Sequence, residues 1–549
     1  MYKLYCSIIN TRMSKYIEDN QYFVDEQNGF RKKRSSVDHI LTLTNIIESR
    51  KLQKKDTFVA FIDFSKAYDR INRNLLWLKV QQMGINGDML NALKSIYSNV
   101  NACVKVSRNG LYTDWFNVTT GLRQGCFVSP LLFNVFINDL AQKIKSRCKG
   151  IKCDNDRLHL LMYADDLALV AEDENDLQEM LSILNQWCNV WDILVNVTKS
   201  QVVHFRQGKK QETQFNFKLN GQNMTKVSKY KYLGLLLDYQ LDYNITAQAV
   251  AKSANRALGL LISKAKAFGG LSYNCFSKLY ESMVMSIVKY GAAIWGFKDF
   301  SCINAVHNRM CRYFLGVSKF TPNAAVQGDV GARNPWQHQR LEICRQWCRL
   351  SNMSDDRINK KVFRWIDSLK CKNWSHRIKQ FLHSCNRAEY CNAENIQKGA
   401  FLKDMCEHIE NINEETWLSI VNKESGKKKQ GKNKLRTYNT FKQRFCPEPY
   451  VYMILPRSHR SAMAQFRCGT APIRLETGRY EGLAVEARIC PLCKNGVETE
   501  LHVLLECPTY DEIRKDLLSK VATSFNGFYV LSKMKQLSII LSCSDNILD

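Results

Sequence analysis

Arg157-Leu158-His159-Leu160-Leu161-Met162-Tyr163-Ala164-Asp165-Asp166-Leu167-Ala168-Leu169-Val170-Ala171 reads as two apolar strands pinched by an acidic turn. A second run, Thr57-Phe58-Val59-Ala60-Phe61-Ile62-Asp63, reads as a short buried strand that ends on an acid. Each feature has an ordinary reading. Asp63 can be a helix N-cap ahead of Ser65-Lys66-Ala67-Tyr68, and Asp165-Asp166 can be turn formers. Taken together they say more. Carboxylates beside fully apolar strands repel one another unless a cation neutralises them. Mg²⁺ is a hard cation that takes oxygen ligands, and phosphoryl chemistry uses two such ions roughly 3.5–4 Å apart. Two strands that carry acids into one cleft fit that need.

The rest of the chain supplies a setting for such a cleft. Its 549 residues, at roughly 100–200 per domain, allow about three to five domains. The 79 Lys and Arg against 52 Asp and Glu leave a net charge of +27, so a polyanion is the natural partner. No early apolar segment follows Met1, and no window approaches ~18 uninterrupted apolar residues. Secretion and membrane spanning are therefore not expected, and an intracellular location, nucleus and cytoplasm, is. The 21 Cys form no paired framework, so clustered Cys read first as a metal site. Helical rhythm appears in Tyr2-Leu4-Tyr5-Ile8-Ile9, in Val37-Ile40-Leu41-Leu43 and across 174–191. Between the first two lies the basic turn Gly29-Phe30-Arg31-Lys32-Lys33-Arg34-Ser35, ending in an N-cap residue. Beyond about 245 the pattern is mainly helical, and Lys427–Arg436, with six basic residues in ten, reads as a solvated linker.

Phe61-Ile62-Asp63-Phe64-Ser65-Lys66-Ala67-Tyr68-Asp69 resembles motif A of reverse transcriptases. Gly121-Leu122-Arg123-Gln124-Gly125-Cys126-Phe127-Val128-Ser129-Pro130-Leu131-Leu132-Phe133 resembles motif B, and Tyr163-Ala164-Asp165-Asp166 motif C. Asn196-Val197-Thr198-Lys199-Ser200 is similar to motif D, and Tyr232-Leu233-Gly234 to the primer-grip region. The Gly29-to-Ser35 turn resembles a finger motif of non-LTR (LINE-like) retrotransposon enzymes. The order of these segments is that of the family.

The resemblance implies an α+β, right-hand polymerase: fingers, a palm with an antiparallel sheet, and a helical thumb. The expected map is partial fingers at 1–56, palm at 57–240 and thumb at 241–330. A basic helical region follows at 331–484 with a linker near 424–437, then a zinc module at 485–515 and a C-terminal helix at 516–549. The implied activity is RNA-directed DNA synthesis by two Mg²⁺ (or Mn²⁺) ions, on an RNA template and a DNA primer or target, from deoxynucleoside triphosphates. Asp63, Asp165 and Asp166 would be the catalytic metal ligands, with the Phe64 carbonyl completing a shell. Tyr68 would exclude a ribose 2′-hydroxyl, or is a core aromatic. Gln124 and Gly125 would meet the nucleotide and template base. Arg31 and Arg34 would contact triphosphate or template, or form a solvated turn, and Lys199 would protonate pyrophosphate or is an exposed loop lysine. Lys33 stands where relatives carry Gly. The front of the fingers lacks a counterpart here, which leads to the alternative expectation of a truncated, weakly active remnant that only binds nucleic acid.

The tail carries a sharper pattern. Cys490, Cys493, His502 and Cys507 are spaced C-x2-C-x8-H-x4-C, which closes a tetrahedral shell around one structural Zn²⁺ with no open position. The pattern resembles the C-terminal zinc module of LINE-type polymerases.

Overall fold

The computed structural model describes residues 1–106, 110–426 and 433–542. Part of the expected basic linker (427–432) and the end of the expected last helix (543–549) lie outside the described residues. The chain divides into two compact units, residues 1–246 with 347–396, and residues 247–346 with 397–549.

The first unit is built on a five-stranded sheet. Helices α1 (Tyr2–Asp19) and α2 (Ser36–Leu52) precede its central strand, β1 (Thr57–Ile62), in which every residue is buried. Helix α3 (Ser129–Arg147) leads to the hairpin of β2 (Leu160–Tyr163) and β3 (Asp166–Ala171). Helix α4 (Glu174–Val190), β4 (Gln201–Phe205) and the short β5 (Thr225–Lys226) complete it. The spatial order is β5-β4-β1-β3-β2, antiparallel except for the β5–β4 pair. β1 is flanked on both edges and covered on both faces, which is why its sequence shows no polar alternation. Leu132, Phe133, Phe136 and Leu140 of α3 and Leu177, Leu181 and Leu184 of α4 pack in the same core as Phe58 and Ile62.

α2 begins where the sequence signals a cap. Ser35 accepts the Asp38 N–H, and the Asp38 carboxylate accepts the Ser35 N–H, a reciprocal capping box. Twelve of its 17 residues are buried, far more than one amphipathic face would bury. The cover comes from far along the chain. The helix Ile358–Ser368 lies along α2, and Asn359 donates to the Asp38 carbonyl and to Thr42 Oγ1 at 2.6 Å. Arg349 binds both Asp38 carboxylate oxygens (2.8 and 2.6 Å), and Arg377 binds both oxygens of Glu48 (2.5 and 2.9 Å). Trp347, Phe363 and Trp374 form the aromatic centre of this segment. The 331–484 stretch, read from sequence as one region, thus contributes residues 347–396 to the first unit.

The second unit is mainly helical. Lys252, Arg256, Lys264 and Lys266 of the helix Tyr243–Ala267 are exposed. Elsewhere Asp329, fully buried, receives Arg467 on both oxygens (2.9 Å each) and the hydroxyls of Tyr438 and Tyr450. A buried pair this well bonded is costly to break from one side, about 3–5 kcal/mol. After the 485–515 stretch the structure holds two helices, Asp511–Ser524 and Lys533–Ser542, where the sequence suggested one. No described helix is long and apolar enough to cross a membrane.

Candidate active site and metal centre

Sheet register brings the acids together. Ile62 of β1 pairs with Leu167 of β3, so Asp63, one step on, comes level with Asp166. Tyr163 pairs with Asp166 across the hairpin, leaving Ala164 and Asp165 as the two turn residues. Asp165 and Asp166 reach solvent, yet the cleft walls displace enough water to matter. Burial, then the charges of Asp165 and Asp63, pushes the Asp166 carboxyl up to about 6. Burial also raises Asp165, with a further push from Asp63 against a bond from its own backbone. A carboxylate cluster that resists its own ionisation is a fitting donor set for a hard divalent cation.

The backbone around Asp63 is held by the turn at 194–200. Asp63 N–H donates to Ser200 Oγ (3.1 Å), and its carbonyl accepts the Asn196 N–H (2.7 Å). Phe64 bridges to Val195, and its side chain is buried. On the other side, Tyr68 stacks on Phe133 with ring centres 4.9 Å apart. Burial, then the Asp165 charge, lifts its hydroxyl above the ordinary phenol range. Tyr68, Gln124, Gly125 and Asp165 share the wall of one cleft of about 620 Å³ with Phe30 and Arg123. Gln124 Nε2 donates to Asp69 at 3.1 Å, which gives Asp69 a place as the orienting partner of the glutamine. Gly121 lies so close to the Asp69 backbone that a Cβ would stand 2.5 Å from its carbonyl oxygen.

The structure does not bring the other cations expected from sequence to this cleft. Arg31 holds both oxygens of Glu18 (2.8 and 2.7 Å) and the carbonyls of Val24 and Gln27. Arg34 pairs with Asp25 at 2.6 Å and bonds Asn28. Both brace the 18–28 segment from within. Lys199 is exposed on the 194–200 turn and does not line the cleft. Lys33 adopts φ +59°, the left-handed conformation that a Gly would take without strain, and its carbonyl accepts from Arg349.

Two residues with a place at the site were not singled out from the sequence. Arg123 lines the cleft, its guanidinium 5.1 Å from the Tyr2 ring centre, and its signal was its position beside Gln124. Gln27 is fully buried against the Ala164 turn, and nothing local in the sequence marks it. Next to it, Gly29 approaches the same turn so closely that a Cβ would lie 2.3 Å from the Ala164 nitrogen.

In the second unit, the ligand atoms of Cys490, Cys493, His502 and Cys507 all lie within 4.8 Å of one another. Cys490, His502 and Cys507 are buried, and the Asn495 N–H points at Cys493 Sγ (3.4 Å). Four thiol and imidazole donors converging without a carboxylate fit Zn²⁺ with a closed shell.

The family profile of reverse transcriptase (RNA-dependent DNA polymerase) matches residues 1–237. The chain is 27% identical over 339 residues to a probable RNA-directed DNA polymerase from transposon BS of Drosophila melanogaster, covering 60% of this chain and 36% of that protein. It is 25% identical over 290 residues to the RNA-directed DNA polymerase from mobile element jockey of the same fly, covering 51% of this chain and 30% of the relative. The chain thus spans about a third of the length of these relatives. Among solved structures, apo telomerase from Candida Tropicalis aligns over 73% of this chain and 60% of its own, with 12% identity and a TM-score of 0.35.

Proposed function

With a reverse transcriptase domain occupying residues 1–237, we propose that this chain is an RNA-directed DNA polymerase of the non-LTR retrotransposon type. Its substrates are an RNA template, a DNA primer 3′-hydroxyl and deoxynucleoside triphosphates. The observation that carries this reading is the convergence of Asp63, Asp165 and Asp166 at the edge of the cleft walled by Tyr68, Gln124 and Gly125.

In this reading Asp63, Asp165 and Asp166 hold two Mg²⁺ or Mn²⁺ ions, with the Phe64 carbonyl nearby. Bound there, the ions would supply activation of the primer hydroxyl and neutralisation of the pyrophosphate charge. The chain's own residues do the positioning. Tyr68, fixed on Phe133, occupies the side of the cleft where a ribose 2′-hydroxyl would go. Gln124, held by Asp69, turns its amide toward the incoming nucleotide, and Gly125 lets the backbone come close. Arg123 offers the cleft a cation for triphosphate, the task first considered for Arg31 and Arg34. Lys199 remains within the turn that holds Asp63 and serves as a candidate proton donor. Residues 1–56, 57–240 and 241–330 act as fingers, palm and thumb, and the exposed Lys252 and Arg256, one helical turn apart, track a duplex backbone. One structural Zn²⁺ on Cys490, Cys493, His502 and Cys507 closes the tail module.

Primer extension on a poly(rA)/oligo(dT) template tests the reading. Asp165→Asn should abolish extension and leave RNA affinity nearly unchanged, because phosphate attraction is spread over many cations. Wild-type extension by this variant would refute the site.

A further inference from the structure

The turn that carries Asp165 is not relaxed on its own. Ala164 sits at φ +56°, a left-handed conformation that side chains other than glycine rarely adopt without support. The support comes from a residue 137 positions earlier. Gln27 Oε1 accepts the Ala164 N–H at 2.9 Å and the Gly29 N–H at 2.7 Å, and its Nε2 faces the Ala164 carbonyl at 3.5 Å. One amide therefore brackets the strained residue from both ends of its peptide unit.

Gln27 is itself fixed. Its flanking backbone runs beside β2 as an extra parallel rung, with Asn28 N–H on the Met162 carbonyl and Met162 N–H on the Glu26 carbonyl (2.9 Å each). Arg31 donates to the Gln27 carbonyl at 3.0 Å. Asn134 of α3 donates to the Gly29 carbonyl at 2.7 Å, and Asn138, one turn on, binds the backbone at Tyr22 and Val24. The helix that follows Gln124 and Gly125 thus anchors the segment that grips the acidic turn.

We propose that Gln27 is a positioning residue for Asp165, holding Ala164 left-handed so that the neighbouring carboxylate stays in register with Asp63 and Asp166. This rests on the reading of Asp165 as a metal ligand. Without the bracket the two-residue turn has other conformations available, and each moves Asp165. A displacement of about 1 Å at a reacting centre can cost on the order of 10²-fold in rate.

The test is single-turnover nucleotide addition by the full chain, with Mn²⁺ titration, for wild type, Gln27→Leu, Gln27→Glu and Asp165→Asn. Gln27→Leu keeps the volume and loses the acceptor. It should slow addition about 10- to 100-fold and raise the Mn²⁺ needed for half-maximal rate. The KM for nucleotide should stay within about twofold, because the cleft wall is untouched. Hydrogen exchange should quicken in the peptide containing Ala164 but not in those covering β1. Gln27→Glu keeps an oxygen where both N–H groups point but loses the Nε2 donor and buries a carboxyl beside the acidic turn, so it too should slow addition. Wild-type rate and metal requirement in Gln27→Leu, or unchanged hydrogen exchange in its Ala164 peptide, would overturn the proposal. Activity in Asp165→Asn would instead overturn the site assignment on which it stands.

Discussion

Replacing Gly29 by alanine would drive a methyl group into the acidic turn that carries Asp165. The added Cβ would stand 2.3 Å from the Ala164 nitrogen and 2.9 Å from the Tyr163 carbonyl carbon, both backbone atoms with no rotamer to escape into. Ordinary contact begins near 3.4 Å, so the two segments must part by about 1 Å. Neither yields easily: Asn134 holds the Gly29 carbonyl, and Tyr163 and Ala164 are tied into the hairpin and to Gln27. The opening moves the turn, and with it Asp165. We expect single-turnover nucleotide addition to fall on the order of 10²-fold, the typical consequence of misplacing a reacting group by that distance. The core beneath the turn is untouched, so unfolding should shift by only about 1–3 kcal/mol, the usual cost of local overpacking. Stopped-flow or quench-flow extension together with urea unfolding separates the two effects. A Gly29→Ala protein that adds nucleotides at the wild-type rate would show that the turn tolerates displacement and would refute the reasoning.

His39, buried edge-on to Tyr163, is pushed down to about 3 by burial. The unfolded chain therefore takes up the proton first as pH falls, and the stability that depends on neutral His39 is lost from about pH 6.5 toward pH 3. Between pH 7 and 5 this amounts to about 2 kcal/mol, and His39→Gln should remove that share of the acid sensitivity in urea melts. Tyr68→Ala should raise ribonucleotide incorporation relative to deoxynucleotide by on the order of 10- to 100-fold in paired extension assays; an unchanged ratio leaves Tyr68 as packing for Phe133. Native mass spectrometry should find one zinc held by Cys490, Cys493, His502 and Cys507, and a chelator should open this stretch to protease while residues 1–246 keep their melting behaviour.

Short-range patterning made the catalytic neighbourhood readable. The β1 run ending on Asp63 and the hairpin around Asp165-Asp166 announce themselves because each is a continuous apolar run that stops at an acid. The Cys490, Cys493, His502 and Cys507 cluster was legible because its spacing fits within one loop and one turn of helix. The assignments that sequence left open depend on partners far away. Arg31 and Arg34 look like free phosphate-binding cations until Glu18 and Asp25 are seen beside them. Gln27 reads as an ordinary polar residue because the turn it grips comes 137 positions later. Asp38 looks like a helix-capping acid and nothing more, yet it also binds Arg349, 311 residues on.

That last pairing has a consequence for how the protein is made. α2 is made before the segment that covers it, which ends near residue 396. At translation rates of about 5–20 residues per second, the helix waits on the order of tens of seconds without the Ile358–Ser368 helix that packs along it. During that interval the nascent chain presents an apolar surface to the ribosome's surroundings, and a chain released before residue 396 keeps that surface for good. Fragments ending near residue 330 should accordingly need a chaperone or a solubility partner to accumulate. A helix is thus made well before the segment that completes it.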